Sequence, residues 1–469
     1  MEDVRYSLRL LGLAYILARH DATFVCDVIK LPLPVRVFFW LITKRNRKAN
    51  KGVRLGNALQ QMGPSFIKAG QALSTRGDLI GVELAEGLVS LQDKLPPFDG
   101  AIAKQIIEAE LGDTIENLFT WFEHDATAAA SIAQVHFATT KDGKDVAVKV
   151  LRPHIEAAFA RDIALLYWIA KKIAKRMPRL KPVEVVKTFE ETIRVELDLR
   201  FEAAAAEELK ENTKHDPEFY VVAVDWVRTA KRVLTTERIR GFHASDKAGM
   251  EAAGIDTTKI TEKAATAFFN QVFRDGFFHA DMHPGNLFVL PDGRLAPVDF
   301  GIMGRIDHAN QLVLAEILYG FLKGDYQRVA RVHYDAGWIP PHVSVDLFAQ
   351  ACRGVGQPMM GKALNEISVG RLLGQLIDIG TMFEMETQPH LILLQKTMMT
   401  AEGVGRGLNP NVNMWQLAEP LITQWAQENF SPRAKLRDFA REALEVLRES
   451  PTVLREIRAY LGELQAKNA

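Results

Sequence analysis

Residues 279–286 read HADMHPGN, and VDFG follows at 298–301. His279, Asp281, His283 and Asn286 therefore crowd into eight residues, ahead of another acid, Asp299. A metal site, a catalytic loop and an accident of composition are the three readings open to such a stretch. Zinc is bound by compact sets of nitrogen and sulfur ligands, whereas His279 and His283 sit around a Pro-Gly turn with no cysteine nearby and no obvious third ligand. The neighbouring segments bear on the other two readings. NLFVL and LAPVD flank Pro291-Asp292-Gly293, a hairpin signal. TEKAATAFFNQVFRDG, just upstream, has helical spacing.

Toward the N-terminus, RVLTTERI and FYVVAVDWV are rich in Val and Thr and predict two strands. Before them the pattern predicts one long helix through VVKTFEETIRVELDLRFEAAAAEELKEN. Another runs through IEAAFARDIALLYWIAKKIAKRM, stopped by Pro178 and Pro182. SIAQVHFATTKDGKDVAVKVL alternates apolar and polar residues on either side of Lys141-Asp142-Gly143-Lys144, which predicts a strand, a turn and a strand. The first 120 residues read as helices with short connections, broken at Gly63 and Pro64. Beyond Arg305 the spacing is helical almost to the end, where SPTVLREIRAYLGEL starts on a Ser450 cap with Pro451 in the first turn.

Composition narrows the function classes. With 469 residues, 48% hydrophobic and 25% charged, the chain can bury at least one substantial core. Lys+Arg and Asp+Glu both count 58, so no global field favours nucleic acid, and none is expected as a partner. Cys26 and Cys352 match no zinc, iron–sulfur or redox spacing, which fits a reducing compartment. The N-terminus lacks the pattern of a signal peptide. LGLAYILA and VRVFFWLI fall short of the roughly 18 to 20 apolar residues of a membrane helix. VRVFFWLITKRNRKANKGVR couples an aromatic run to Lys44, Arg45, Arg47, Lys48 and Lys51. That suits a segment lying against anionic headgroups, and equally a core segment with a solvated basic tail.

A hairpin carrying VAVK, then helices, strands, a helix, and finally H-x-D-x-x-x-x-N and D-F-G around a hairpin is similar to the chain order of a protein kinase. The chemistry explains the residue types. Asn286 and Asp299 are hard oxygen donors suited to Mg²⁺, Asp281 can orient or accept a proton of the attacking group, and Lys149 would hold phosphates if a carboxylate fixes its ammonium. Glu202 is the candidate for that carboxylate. His279 is expected to brace the loop. His283 stands where many kinases carry a Lys, and either meets phosphate or packs. Two kinase features are absent from the sequence: no APE follows DFG, and AAASIAQVH replaces the Gly-rich loop. Alanine there restricts φ, so the backbone should approach phosphates differently, unless the stretch simply starts a helix.

With Lys68-Ala69-Gly70-Gln71, the alanine loop, Glu196-Leu197-Asp198 and HADMHPGN, residues 55 to 305 resemble the UbiB/ADCK family of atypical kinases. The resemblance implies an α+β, two-lobed protein-kinase-like fold with a helical N-terminal extension (1–120) carrying K-x-G-Q. An N-lobe (121–240), a C-lobe (241–430) and C-terminal helices (431–469) would follow. It implies that Lys68 pairs with Glu196 near the phosphates, with Gln71 nearby and Asp198 supporting. Ala130 takes the place of the nucleotide-tuning alanine, with Ser131 beside it, and backbone groups at Glu237 and Ile239 read adenine. One departure is Met282, where the family usually has Pro. Bacterial members typically finish with membrane-spanning helices, and no such run closes this sequence. The expectation is a peripheral place on the cytoplasmic face of the inner membrane, by surface contact or through an anchor outside the sequence.

By the same resemblance the expected role lies in ubiquinone biosynthesis, using ATP and Mg²⁺ for hydrolysis or for phosphoryl transfer to a small or lipid acceptor. Polyprenyl quinone precursors, other proteins of the pathway and a membrane surface are the expected partners. The alternative is a nucleotide-gated protein that presents lipid precursors without phosphorylating them. A third reading, a polyprenylphenol hydroxylase component, needs a flavin or iron. Its nearest support, GVGRGL at 403–408, follows a helical stretch instead of a strand and is expected to be a loop between helices.

Overall fold

The computed structural model describes residues 2–25, 43, 50–74, 80–89, 91, 95–175, 181–359, 379–380, 382–385, 389–410 and 414–429. Its elements begin with helices α1 (Glu2–Arg19), α2 (Lys51–Met62), α3 (Pro64–Ser74), α4 (Val82–Val89), α5 (Gly100–Leu111) and α6 (Ile115–Leu118). Strands β1 (Phe119–Phe122), β2 (Ala128–Ala129), β3 (Ala133–Thr140) and β4 (Asp145–Leu151) follow, then α7 (Ile155–Ala174), α8 (Pro182–Glu196) and α9 (Leu199–Asn212). Next come β5 (Val233–Glu237), β6 (Phe242–His243), α10 (Lys247–Ala252), α11 (Thr257–Phe269), β7 (Phe277–His279), β8 (Leu287–Val289), β9 (Leu295–Pro297) and β10 (Met303–Arg305). The chain continues with α12 (His308–Lys323), α13 (Tyr326–Asp335), α14 (Val345–Gly356), α15 (Pro389–Leu408) and α16 (Met414–Asn429). Lys44, Arg45, Arg47 and Lys48 of the basic segment, Cys26, Pro178, and the terminal helix expected at Ser450 and Pro451 lie outside the described residues; Lys51 opens α2.

One turn design builds both hairpins. Gly143 and Gly293 each sit at φ +81°, a left-handed value that glycine adopts without a Cβ penalty. Each closes the turn by donating its N–H to the carbonyl three residues back, Thr140 at 3.0 Å and Leu290 at 2.8 Å. Between Thr140 and Asp145 this sets the β3–β4 register, with Lys149 opposite Val135 on one side and Leu234 of β5 on the other. The five-stranded sheet runs β1-β3-β4-β5, with β2 on β3; β6-β8-β9 and β7-β10 form two smaller sheets.

Strand alternation decides which face each residue of β4 serves. Val146, Val148 and Val150 are buried on one face against Ile106 and Ile107 of α5 and Leu118 of α6. Leu151 packs on the other, with Phe159 of α7, Leu199 and Ala203 of α9 and Leu234. Lys149 shares the parity of Leu151 and so belongs to the α9 side. A third apolar cluster, with Leu55, Leu59, Phe66, Ile67, Leu88 and Leu91, is confined to the N-terminal helices.

Two expected elements differ. The long helix predicted through VELDLR is two helices: Leu197 ends α8, and Asp198, in extended backbone, caps α9 by accepting from the Arg200 N–H at 3.2 Å. FYVVAVDWV forms no ladder, because it passes from one sheet to another. Phe219 bridges Leu295, Val224 bridges Thr236, and Trp226–Arg228 closes as a 3-10 turn on the Asp225 carboxylate.

The chain divides into two units. The first comprises Met1–Ala264, Phe277–Arg305 and Thr387–Pro410; the second comprises Ala265–Gly276, Ile306–Glu386 and Asn411–Ala469. In the second, Phe348 stacks edge-on between His333 and Phe383, both at 5.1 Å. Every residue of the site described next belongs to the first unit.

Candidate active site

Lys149 is the hub. Its Nζ donates to both oxygens of Glu202, at 2.8 and 2.9 Å, and lies 3.4 Å from Asp299 Oδ1. Glu202 stands in the first turn of α9, where the helix dipole favours a negative charge and the Asp198 cap holds the turn. Burial pushes the Glu202 carboxyl up, Lys149 opposes the rise, and Asp299 adds to it. Burial alone would lower the Lys149 ammonium, but Asp299 and Glu202 together raise it. Asp299 goes the other way: although burial would raise it, Lys149, the Gly301 N–H and Lys68 hold its carboxyl well below the usual range. The Glu202 side chain is 8% exposed and that of Asp299 42%, so Glu202 backs the site and Asp299 fronts it.

The loop 279–286 is braced from within. His279 is buried, and burial keeps its imidazole neutral against the pull of Asp299 and Asp281. One tautomer satisfies both of its contacts: Nε2–H donates to the Asp299 carbonyl, and Nδ1 accepts from the Asp281 N–H at 3.2 Å. Asn286 Nδ2 donates to Asp281 Oδ2 at 2.9 Å, so its Oδ1 is the amide atom suited to a cation. His283 closes the turn, accepting from the Gly285 N–H at 3.1 Å. Met282 is buried, which gives this position an apolar anchor.

Lys68, on α3, meets Glu196, the last residue of α8, at 2.9 Å. Residues with no signal in the sequence put it there. Ser65, one turn earlier on α3, donates to Asp162 Oδ2 at 2.7 Å, and the other oxygen of that buried carboxylate pairs with Arg9 of α1. Gly70 has a packing reason to be glycine: a Cβ would come within 2.7 Å of both Leu59 and Leu91. Asp198 stands at the start of α9. Its carboxylate binds the Arg200 guanidinium at 2.6 and 2.8 Å and caps α9, so it acts through the helix that carries Glu202.

The alanine loop is a turn, not a helix start. Ala130 donates its N–H to the Ala133 carbonyl at 2.8 Å and accepts from Arg152 at 2.8 and 3.1 Å, with Ser131 fully buried beside it. Arg152 is a further residue the sequence reading missed. At the end of β5, the Glu237 carboxylate accepts from the Tyr220 hydroxyl at 2.5 Å, and the Glu237 N–H donates to the Ala223 carbonyl at 2.9 Å; Ile239 follows, partly buried. The stretch 403–408 forms the last turns of α15, so the loop expected there is corrected. It follows no strand. The same helix brings Thr397, fully buried, to the Ala280 carbonyl at 3.1 Å.

The profile of the ABC1 atypical kinase-like domain matches residues 90–333, and that of the UbiB helical domain matches residues 352–413. A Marinobacter nauticus protein named "Probable protein kinase UbiB" is 41% identical over 468 residues, 98% of this chain and 86% of the relative. A Vibrio cholerae protein of the same name is 44% identical over 457 residues, covering 94% and 82%. Among solved structures, the Rv3197–erythromycin complex from Mycobacterium tuberculosis superposes with a TM-score of 0.53 at 24% identity, over 77% of this chain and 93% of that one. That likeness bears on the fold alone, and agrees with the kinase-like α+β architecture.

Proposed function

The chain belongs to the UbiB family of ABC1 atypical kinase-like proteins, and from that premise we propose that it couples ATP with Mg²⁺ to a step of ubiquinone biosynthesis. The observation that carries this reading is Lys149 joined to Glu202 and to Asp299, residues 53 and 150 positions away, in one cluster. The donor set suits a magnesium ion: Asp299 is kept ionised and Asn286 offers an amide oxygen, both hard ligands. Bound there, the ion would neutralise charge on the phosphate oxygens. Lys149, fixed by Glu202, clamps phosphate. The backbone at Ala130 and Ser131 approaches the phosphates, and that at Glu237 and Ile239 reads adenine. Asp281 receives the proton of the attacking hydroxyl or water as its oxygen bonds to the terminal phosphorus and ADP leaves.

The acceptor in this reading is small or lipidic, because the Lys68–Glu196 pair occupies the approach a peptide would need. The partners are polyprenyl quinone precursors or pathway proteins, at the cytoplasmic face of the inner membrane. Among the described residues no helix is long and apolar enough to cross a membrane. Purified Asp299→Asn protein should lose Mg²⁺-dependent ATP hydrolysis by at least about 100-fold. Unchanged turnover would overturn the metal assignment.

The Lys68–Glu196 contact also favours a second reading, a nucleotide-gated module that presents lipid precursors. Labelled γ-phosphate appearing on a quinone precursor supports transfer; release as free phosphate alone supports the gated module.

A further inference from the structure

Tyr220 is bonded to two sheets at once, the one that ends at Glu237 and the one that leads to Asp299. Its N–H donates to the Leu295 carbonyl on β9 at 2.7 Å, and the Leu295 N–H donates to the Glu218 carbonyl at 2.9 Å. The Arg294 guanidinium lies over its ring at 4.8 Å. Its hydroxyl donates to Glu237 Oε2 at 2.5 Å, at the end of β5, and the same oxygen accepts from the Ala223 N–H at 3.4 Å. Burial and the bond to Glu237 push the phenol up to about 12, so the hydroxyl stays a donor throughout the neutral range.

In the reading above, the two ends of this contact serve the two ends of one nucleotide. β9 leads through Pro297 to Asp299, and β8, its hairpin partner, follows Asn286 directly, so this hairpin carries both metal ligands. Glu237 and Ile239 belong to the strip that faces adenine. The middle of that strip is held from β4, where the Arg238 N–H donates to the Asp145 carbonyl at 3.1 Å and the Arg240 guanidinium pairs with the Asp145 carboxylate. Its far end meets β8, where a Cβ on Gly241 would come within 2.5 Å of the Val289 carbonyl. Tyr220 ties its near end to β9 by a charge-assisted bond, the stronger kind. A ligand held at two places binds well only when their separation matches its own length. We propose that Tyr220 is a positioning residue that sets the spacing between the adenine strip and the metal-holding hairpin, through its bond to Glu237, and thereby contributes to selectivity for the base. This rests on the ATP-dependent reading above and adds to it a residue outside the groups that touch the nucleotide.

The test is equilibrium binding of Mg·ATP and of Mg·ITP, the inosine nucleotide, to the full chain by calorimetry. Hypoxanthine exchanges the donor and acceptor that adenine presents, so a strip built for adenine rejects it, and the wild type should bind ATP at least about 10-fold more tightly. Tyr220→Phe should lose about 10-fold in ATP affinity, the amount expected for one hydrogen bond to a charged group, while its ITP affinity stays within about twofold. Retained ITP binding shows that the variant is folded. Glu237→Ala should give the same loss, and the double variant no more than either, because both changes remove one bond. A Tyr220→Phe protein that keeps the wild-type ratio, or losses that add in the double variant, would overturn the assignment while leaving the ATP-dependent reading in place. If Tyr220→Phe binds neither nucleotide, Glu237→Ala is judged by the same ratio, and loss of both nucleotides in both variants makes the bond a requirement of the fold and removes the positioning role. A wild type that binds ATP and ITP equally removes base reading, and with it the role of Tyr220. One that binds neither removes the ATP-dependent reading as well.

Discussion

Lys149–Glu202 and Lys68–Glu196 are the same pair chemically, at 2.8 and 2.9 Å, but they are mounted differently. Lys149 sits mid-strand, with Val135 and Leu234 across the ladder on either side, and Glu202 stands on a capped helix packed against the same sheet. Lys68 rides on α3, whose apolar residues Phe66 and Ile67 pack within the separate cluster of the N-terminal helices. Polar contacts fasten that layer to α7 and α8: Ser65 and Arg9 on Asp162, and Lys68 on Glu196. A pair inside one core is a fixture, because breaking it strands a buried charge. A pair between separately cored layers is a fastening, which can open while both apolar cores stay closed.

The comparison breaks most visibly at Lys149. Lys149→Met leaves the Glu202 and Asp299 carboxylates facing each other, so chemical denaturation should show a loss of about 3–5 kcal/mol, together with loss of Mg·ATP hydrolysis. A variant as stable as the wild type would mean that the pair is no fixture. Gly70→Ala attacks the fastening from the apolar side, by pressing a methyl group onto Leu59 and Leu91. It should cost about 1–3 kcal/mol, and hydrogen exchange should quicken in residues 51–74 while 133–151 keep their protection. Equal quickening in the sheet would merge the two cores into one.

The smallest effect sharpens the comparison with a buried titratable group that has no counter-ion among the described residues. In the second unit, burial depresses the His333 imidazole below its usual 6.5, only partly offset by its bond to the Val329 carbonyl, and Trp338 and Phe348 pack around it. The unfolded chain then takes up the proton first as pH falls, so the stability this neutral ring contributes is present above about pH 6.5 and is lost below it. The slope should not exceed about 1.4 kcal/mol per pH unit. Urea midpoints at pH 7.5 and 5.5 should converge in a His333→Phe variant, and a variant that keeps the wild-type difference would locate the titration elsewhere.

Much of the site was legible because its signals are local. The Asp-Gly turns, the parity of Lys149 along β4, and the spacing of Asp281, Asn286 and Asp299 within one loop and hairpin all act over a few residues. The continuous helix expected through VELDLR failed because propensity runs unbroken across it, and only the Asp198 side chain, bonded to the Arg200 N–H, marks the interruption. The strand expected in FYVVAVDWV failed for a related reason. Its Val-rich composition suits extended backbone, but a ladder needs a partner, and that run divides its partners between two sheets.

By itself the sequence determined the turns, the face of each strand residue and the chemical types available for phosphoryl transfer, since these depend on φ, on alternation and on side-chain identity within a short reach. Only the tertiary structure decided that Ser65, Arg9 and Asp162 would hold the Lys68 helix, that Arg152 would tie the alanine loop, and that α15 would bring Thr397 to the Ala280 carbonyl. Such meetings join residues as far as 97 and 153 positions apart. At that range no local preference acts, and packing alone selects the neighbours.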